Sequence, residues 1–177
     1  MTKLEQLLSQ YAAYHLDQKN IYTHFVGIPL IVFSIMCLTA RAGVVILGVE
    51  LTLALALLLA STVYYLSLDR IFGLIMLLIY ALAYPFAYRI AQLDMTVWLS
   101  VSIGIFVVGW IFQFVGHFYE KKKPAFMDDV IGLAIGPLFV LAEMVFMFGF
   151  RKELEQRMLA EARKQRAVMD AKTVNLN

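Results

Sequence analysis

Hydrophobic and polar positions divide the chain into an amphipathic opening, four long apolar runs, a fifth interrupted run and a charged tail. In residues 1–20, Leu4, Leu7, Leu8, Tyr11 and Tyr14 recur at spacings of three and four, which predicts an amphipathic helix. Asn20 stands where a helix N-cap is expected, ahead of an apolar run over 21–40. Further runs cover 43–68, 71–88 and 95–117, parted by Asp69-Arg70 and by the polar stretch 89–94. Each reaches or approaches the ~20 residues that a helix needs to cross a ~30 Å hydrocarbon layer. The fifth run, 130–150, contains Gly136-Pro137 and Glu143. Proline lacks the backbone donor, so a break or kink is expected there. Beyond residue 150 the chain turns polar, and Glu153 and Arg157, one turn apart, predict an exposed, charge-laced helix and tail over 151–177.

The fold class implied is all-α, an integral membrane helix bundle of four spans plus a proline-broken fifth segment that is either re-entrant or a fifth span. Residues 1–150 form its single membrane domain. Composition agrees. Of 177 residues, 62% are hydrophobic and 16% charged, with a mean hydropathy of +0.76. A soluble domain is roughly half apolar and a quarter charged, and a chain this small has too little interior for the excess. Lipid is the partner that absorbs it. The lone Cys37 excludes an internal disulfide or a Cys-type zinc site. The mixed polar opening shows no basic region followed by an apolar core, so no cleavable signal is expected.

The net charge of +2 matters less than its placement. Lys121-Lys122-Lys123 and the tail (Arg151, Lys152, Arg157, Arg163, Lys164, Arg166) are the basic clusters, and such clusters favour the cytoplasm. Four spans with a re-entrant fifth run place both clusters inside and leave Arg41 and Arg89 outside. An even number of spans then separates His24 from His117, which puts both on one face.

His15, His24 and His117 are the only histidines, and all three flank the apolar runs. Neutral imidazole is a common transition-metal ligand. On one continuous helix His15 and His24 would point to opposite sides, so sharing a metal requires a reversal between them, for which residues 17–20 are placed. His117 and Glu120 are one turn apart and can face the same way. The bland alternative is that the histidines anchor the protein at the membrane interface. Glu143 at membrane depth costs on the order of 2–3 kcal/mol unless it meets a partner or cavity. It is either a site residue or a hydrogen-bonding partner for backbone freed by Pro137. Glu50 fits the outer interface, and the triple lysine fits anionic headgroups. Trp98, Trp110 and the tyrosines fit interfacial belts or packing. No phosphate loop or nucleophile elbow is present, and no nucleic acid partner is indicated.

Three ordered blocks carry a resemblance. They are Tyr14-His15 with Asn20, His24, Gly27 and Pro29; Trp110 and Gln113 with Gly116-His117, Glu120-Lys121 and Pro124-Ala125; and Gly136-Pro137-Leu138-Phe139 with Glu143. Together they resemble the Mpo-type 2-hydroxy fatty acid dioxygenases, fungal enzymes of the endoplasmic reticulum with bacterial relatives. The resemblance covers most of residues 11–150. It implies an Fe(2+)-dependent α-oxidation that uses O2 to shorten a 2-hydroxy fatty acid by one carbon. It also implies His15, His24 and His117 as metal ligands. Asn20, Glu120 and Glu143 are the candidate catalytic residues beside them, with Glu120 read as an extra ligand, a partner of a neighbouring lysine or a group that orients His117. The expected setting is the lipid bilayer: an inner membrane in a bacterium, the endoplasmic reticulum in a eukaryote. A homo-oligomer is compatible with the pattern. The competing readings are a non-catalytic metal- or lipid-binding membrane protein and a small transporter. Few polar residues (Ser34, Thr52, Ser61, Thr62, Ser100, Ser102) interrupt the spans, which counts against transport.

Overall fold

The structure, a computed structural model, describes residues 1–122 and 131–174. Lys123, Pro124, Ala125 and Val130 of the sequence blocks, and residues 175–177, lie outside the described residues. Helices dominate: α1 (Lys3–Ala12), α2 (Gln18–Thr39), α3 (Leu53–Leu68), α4 (Arg70–Ala91), α5 (Met95–Glu120), α6 (Ile131–Met147) and α7 (Lys152–Val174), with a two-stranded hairpin of β1 (Gly43–Ile46) and β2 (Val49–Thr52). The chain divides into two compact units, residues 1–24 with 114–177, and residues 25–113.

In the first unit, α1 opens on a capping box. The Thr2 hydroxyl accepts from the Glu5 amide at 3.2 Å, and the Glu5 carboxylate accepts from the Thr2 amide at 2.8 Å. Leu4, Leu7, Leu8 and Tyr11 are buried, and α1 packs on both α6 and α7. The opening is not one helix. Asp17, rather than the expected Asn20, starts α2: its carboxylate accepts from the Lys19 amide at 2.7 Å. Asn20 is thereby inside the first turns, and its side chain is available for other work. α6 runs without a break through Gly136 and Pro137, correcting the expected interruption. Proline is tolerated in apolar helices where local adjustment and neighbours satisfy the freed carbonyl. The true stop is Gly149 at φ +85°. There the Phe150 amide donates to the Val145 carbonyl (3.1 Å) and the Gly149 amide to the Phe146 carbonyl (2.9 Å), a Schellman ending.

In the second unit, the expected run 43–68 is two elements. Its first ten residues form the hairpin, because Leu47 and Gly48 both take positive φ (52° and 79°), the geometry of a two-residue type I′ turn. Thr52 then caps α3. Exposed Glu50 on β2 accepts the Tyr88 hydroxyl at 2.5 Å. Arg41 donates to the carbonyls of Ala91 (3.2 Å) and Leu93 (2.8 Å) and lies over the Trp98 ring, whose Nε1 donates to the Cys37 carbonyl. α2 and α5 approach closely at Gly27 and Gly109; a Cβ on Gly27 would stand 2.8 Å from the Gly109 carbonyl oxygen.

Among the described residues, α2, α4 and α5 are long and apolar enough to cross a membrane. α3 and α6, at 16 and 17 residues, extend only ~25 Å, so three helices meet the length criterion rather than four or five.

Candidate metal centre

The loop after α1 turns the chain so that His15 and His24 meet. α1 ends with the Tyr14 amide bonded to the Tyr11 carbonyl and the His15 amide to that of Ala12. α2 starts immediately afterwards and carries His24 inward on its second turn. His117 arrives on the last turn of α5. The ring centroids stand 4.6 Å (His15–His24), 4.9 Å (His15–His117) and 5.2 Å (His24–His117) apart. One ring nitrogen of each lies within 4.8 Å of the others. The reversal precedes residues 17–20 rather than occupying them, since α2 has begun by Gln18.

The rings are oriented from behind. His15 Nδ1 donates to the Tyr11 carbonyl at 2.7 Å, and His24 Nδ1 to the Asn20 carbonyl at 2.9 Å. Each bond places the proton on Nδ1 and leaves Nε2 with its lone pair. His15 Nε2, His24 Nε2 and His117 Nδ1 have no hydrogen-bond partner among the described residues. All three side chains are buried. Burial pushes the His15 pKa well below the imidazole range, and nearby His24 adds to the shift.

That arrangement suits a metal and is poor without one. A buried polar atom left unpaired costs about 1–3 kcal/mol, and three such atoms converge here. Interfacial anchoring would leave the rings wet, which they are not. Three neutral nitrogens directed into one space match the donor set of a divalent transition ion. Tyr11 stacks on His15 at 4.1 Å, with planes 5° apart, and Phe139 stands 5.7 Å from His15. These rings wall one side of the group with apolar surface.

Glu120 does not join the ligand nitrogens. One carboxylate oxygen accepts from the Asp17 amide (2.8 Å) and from Asn20 Nδ2 (3.1 Å), and the other from Arg166 (2.7 Å). Among the described residues, neither a neighbouring lysine nor His117 is its hydrogen-bond partner. Lys122 instead pairs with Asp170 on α7, so it is not free to serve headgroups alone. Glu143 is only partly buried on α6 and stands outside the three-histidine group. Gly116 lets Asn20 and His24 close on α5, since a Cβ there would collide with Thr23 Oγ1 and Asn20 Oδ1.

Arg166, a site neighbour through Glu120, sits within the basic tail and carries no motif of its own. Its signal is spacing: Leu154, Met158 and Ala162 are buried on α7 at intervals of four, and residue 166 is next on that stripe.

The family described as 2-hydroxy-palmitic acid dioxygenase Mpo1-like matches residues 1–148. The chain is 32% identical over 158 residues to the 2-hydroxy-palmitic acid dioxygenase MPO1 of Saccharomyces cerevisiae, covering 86% of this chain and 85% of the yeast protein. No solved structure is a significant match. These likenesses put the chain in a class of small helical proteins of dioxygenase type. It belongs to the Mpo1-like family.

Proposed function

We propose that this protein is an Fe(2+)-dependent membrane dioxygenase that shortens 2-hydroxy fatty acids by one carbon. The yeast relative's name specifies a 2-hydroxy acid substrate and dioxygenase chemistry. The observation that carries the metal dependence is the trio of buried imidazole nitrogens of His15, His24 and His117 that have no partner among the described residues. Bound by them, the iron would supply redox electrons for oxygen chemistry and a Lewis-acidic seat for the hydroxy acid head.

The chain's own residues do the rest. Backbone carbonyls of Tyr11 and Asn20 hold two imidazoles in the ligating tautomer. Asn20 and Glu120 position the histidine-bearing segments rather than ligate. Tyr11 and Phe139 keep water from one side of the group and offer apolar surface to an acyl chain. Glu143, one turn beyond Phe139 on α6, has no ligand role in this reading. The net reaction balances without an external reductant: one 2-hydroxy acid and one O2 give the acid one carbon shorter, CO2 and water.

The setting we propose is a bilayer, with both termini on the cytoplasmic face. Packing of α1 on α7 supports the shared side. Oxygen uptake by iron-loaded protein tests the function. Uptake should begin on adding a 2-hydroxy fatty acid, yield the shortened acid in a 1:1 ratio, and be absent with the unhydroxylated acid. Bound iron with no turnover would mean a metal-binding protein without this activity.

A further inference from the structure

The three histidines come from segments with no covalent reason to stay together: 92 residues lie between His24 and His117. What joins them is a part-buried ion pair whose cation comes from α7, a helix wholly beyond residues 1–148 that the family description matches. We infer that Arg166 is a positioning residue for the metal site, and that α7 is a clasp that sets metal affinity. This rests on the proposal that His15, His24 and His117 hold a metal.

Arg166 and Glu120 make a set of bonds, each near one histidine. Arg166 donates to the Ala13 carbonyl at 3.0 Å, two residues before His15. It donates to the Glu120 carboxylate at 2.7 Å and to the Glu120 carbonyl at 3.3 Å, three residues after His117. The other Glu120 oxygen holds the Asp17 amide, two residues after His15, and Asn20 Nδ2. The Asn20 carbonyl in turn accepts from His24 Nδ1. One guanidinium and one carboxylate thus tie the end of α1, the start of α2 and the end of α5.

The Glu120 side chain is only 2% exposed and that of Arg166 17%, so the pair lies away from the screening that weakens surface ion pairs. Arginine suits the task because its fork reaches several acceptors at once, which a lysine ammonium does less well. A second ion pair on the same helix, Arg157 with Glu5 at 2.8 Å, anchors α7 on α1 far from His15 and makes no bond beside a histidine. It is the internal control.

The test is Co(2+) titration of the purified full chain in detergent, reading affinity and the cobalt absorption bands, with helical content and melting followed in parallel. Loss of groups that orient ligands weakens metal binding ~10–100-fold. Arg166→Ala should weaken Co(2+) binding by that factor and shift the bands. Arg166→Lys should recover part of the loss, and Arg157→Ala should stay within about twofold of wild type. If Arg166→Ala fails to fold, the charge-neutral pair Arg166→Gln with Glu120→Gln should show the same weakening. Wild-type affinity in Arg166→Ala or in the neutral pair overturns the inference. So does an equal loss in Arg157→Ala, which would make α7 mere packing. A wild-type chain that binds no Co(2+) would bring down the metal reading itself, and this inference with it.

Discussion

The two units solve opposite problems with the same helical material. In residues 25–113, long-range polar bonds gather around Arg41, Glu50 and Trp98, while along the helices Ser34, Thr39, Ser61 and Ser67 turn their hydroxyls back on carbonyls three or four residues earlier. Large apolar side chains are left outside, as at Leu74, Leu78, Leu82 and Phe86 along one stripe of α4. Such a surface is stable only against another apolar phase. In residues 1–24 with 114–177 the pattern inverts. Polar groups are buried and bonded over long sequence distances, from Asp17 to Glu120 and from Arg166 to Ala13, while α7 shows water its charges. The difference teaches where specificity resides. Along its exposed helix faces the first pattern needs only apolar residues of helical habit, whereas the second needs particular donors and acceptors at particular positions.

Breaking the second pattern at its centre gives the largest effect. His15→Ala, His24→Ala or His117→Ala should each abolish formation of the shortened acid, measured by mass spectrometry, while helical content persists. The fall should exceed the ~100-fold reached by outer positioning groups.

Equal exposure should mean different things in the two units. Leu78 on α4 is 59% exposed and Val168 on α7 56%. Leu78→Arg should cost about 3 kcal/mol on insertion, read as lost membrane-inserted protein. Val168→Arg should stay within about 0.5 kcal/mol. Equal tolerance at both sites would remove the distinction.

Metal removal should loosen only the histidine-bearing unit. A ligand at a hundred times its Kd stabilises by about 2.7 kcal/mol, so chelation should lower the melting temperature and speed amide exchange there. The stripped protein should also become acid-labile. His15 has a depressed folded-state pKa against 6.5 when unfolded, so the unfolded chain binds the proton more readily. The stability is present above pH 6.5 and is lost as pH falls below it. Melting of the metal-free form at pH 8 and pH 5 checks the sign.

Glycine substitutions give the smallest contrast. Gly116→Ala should cost on the order of 1–3 kcal/mol through overpacking against Thr23 and Asn20. A Cβ on Gly104 meets nothing within 4 Å, so Gly104→Ala should be neutral or stabilise by up to about 1 kcal/mol. Thermal unfolding of both variants measures the difference.

Much of this was legible in the sequence, for physical reasons that also explain the gaps. Apolar length and the Asp69-Arg70 break are local, so α4 and α5 were readable to within a few residues. The hairpin at 43–52 was not, because an apolar run of β-branched residues reads alike as strand or helix, and only Leu47-Gly48 marks the turn. Pro137 misled because a missing donor matters less where neighbours compensate. The histidines were legible as candidates through their placement beside the apolar runs. The Glu120–Arg166 pair was not, since a bond between residues 46 positions apart leaves only the spacing of four on α7 as a trace.

The central claim is that His15, His24 and His117 hold one catalytic metal. Elemental analysis of protein purified without added metal, then loaded anaerobically with Fe(2+), tests it most directly. About one iron per chain is expected in the wild type, and less than about a tenth of that in each single histidine-to-alanine variant. Iron retained by any one of the three variants, or a wild-type chain that binds none, would contradict it.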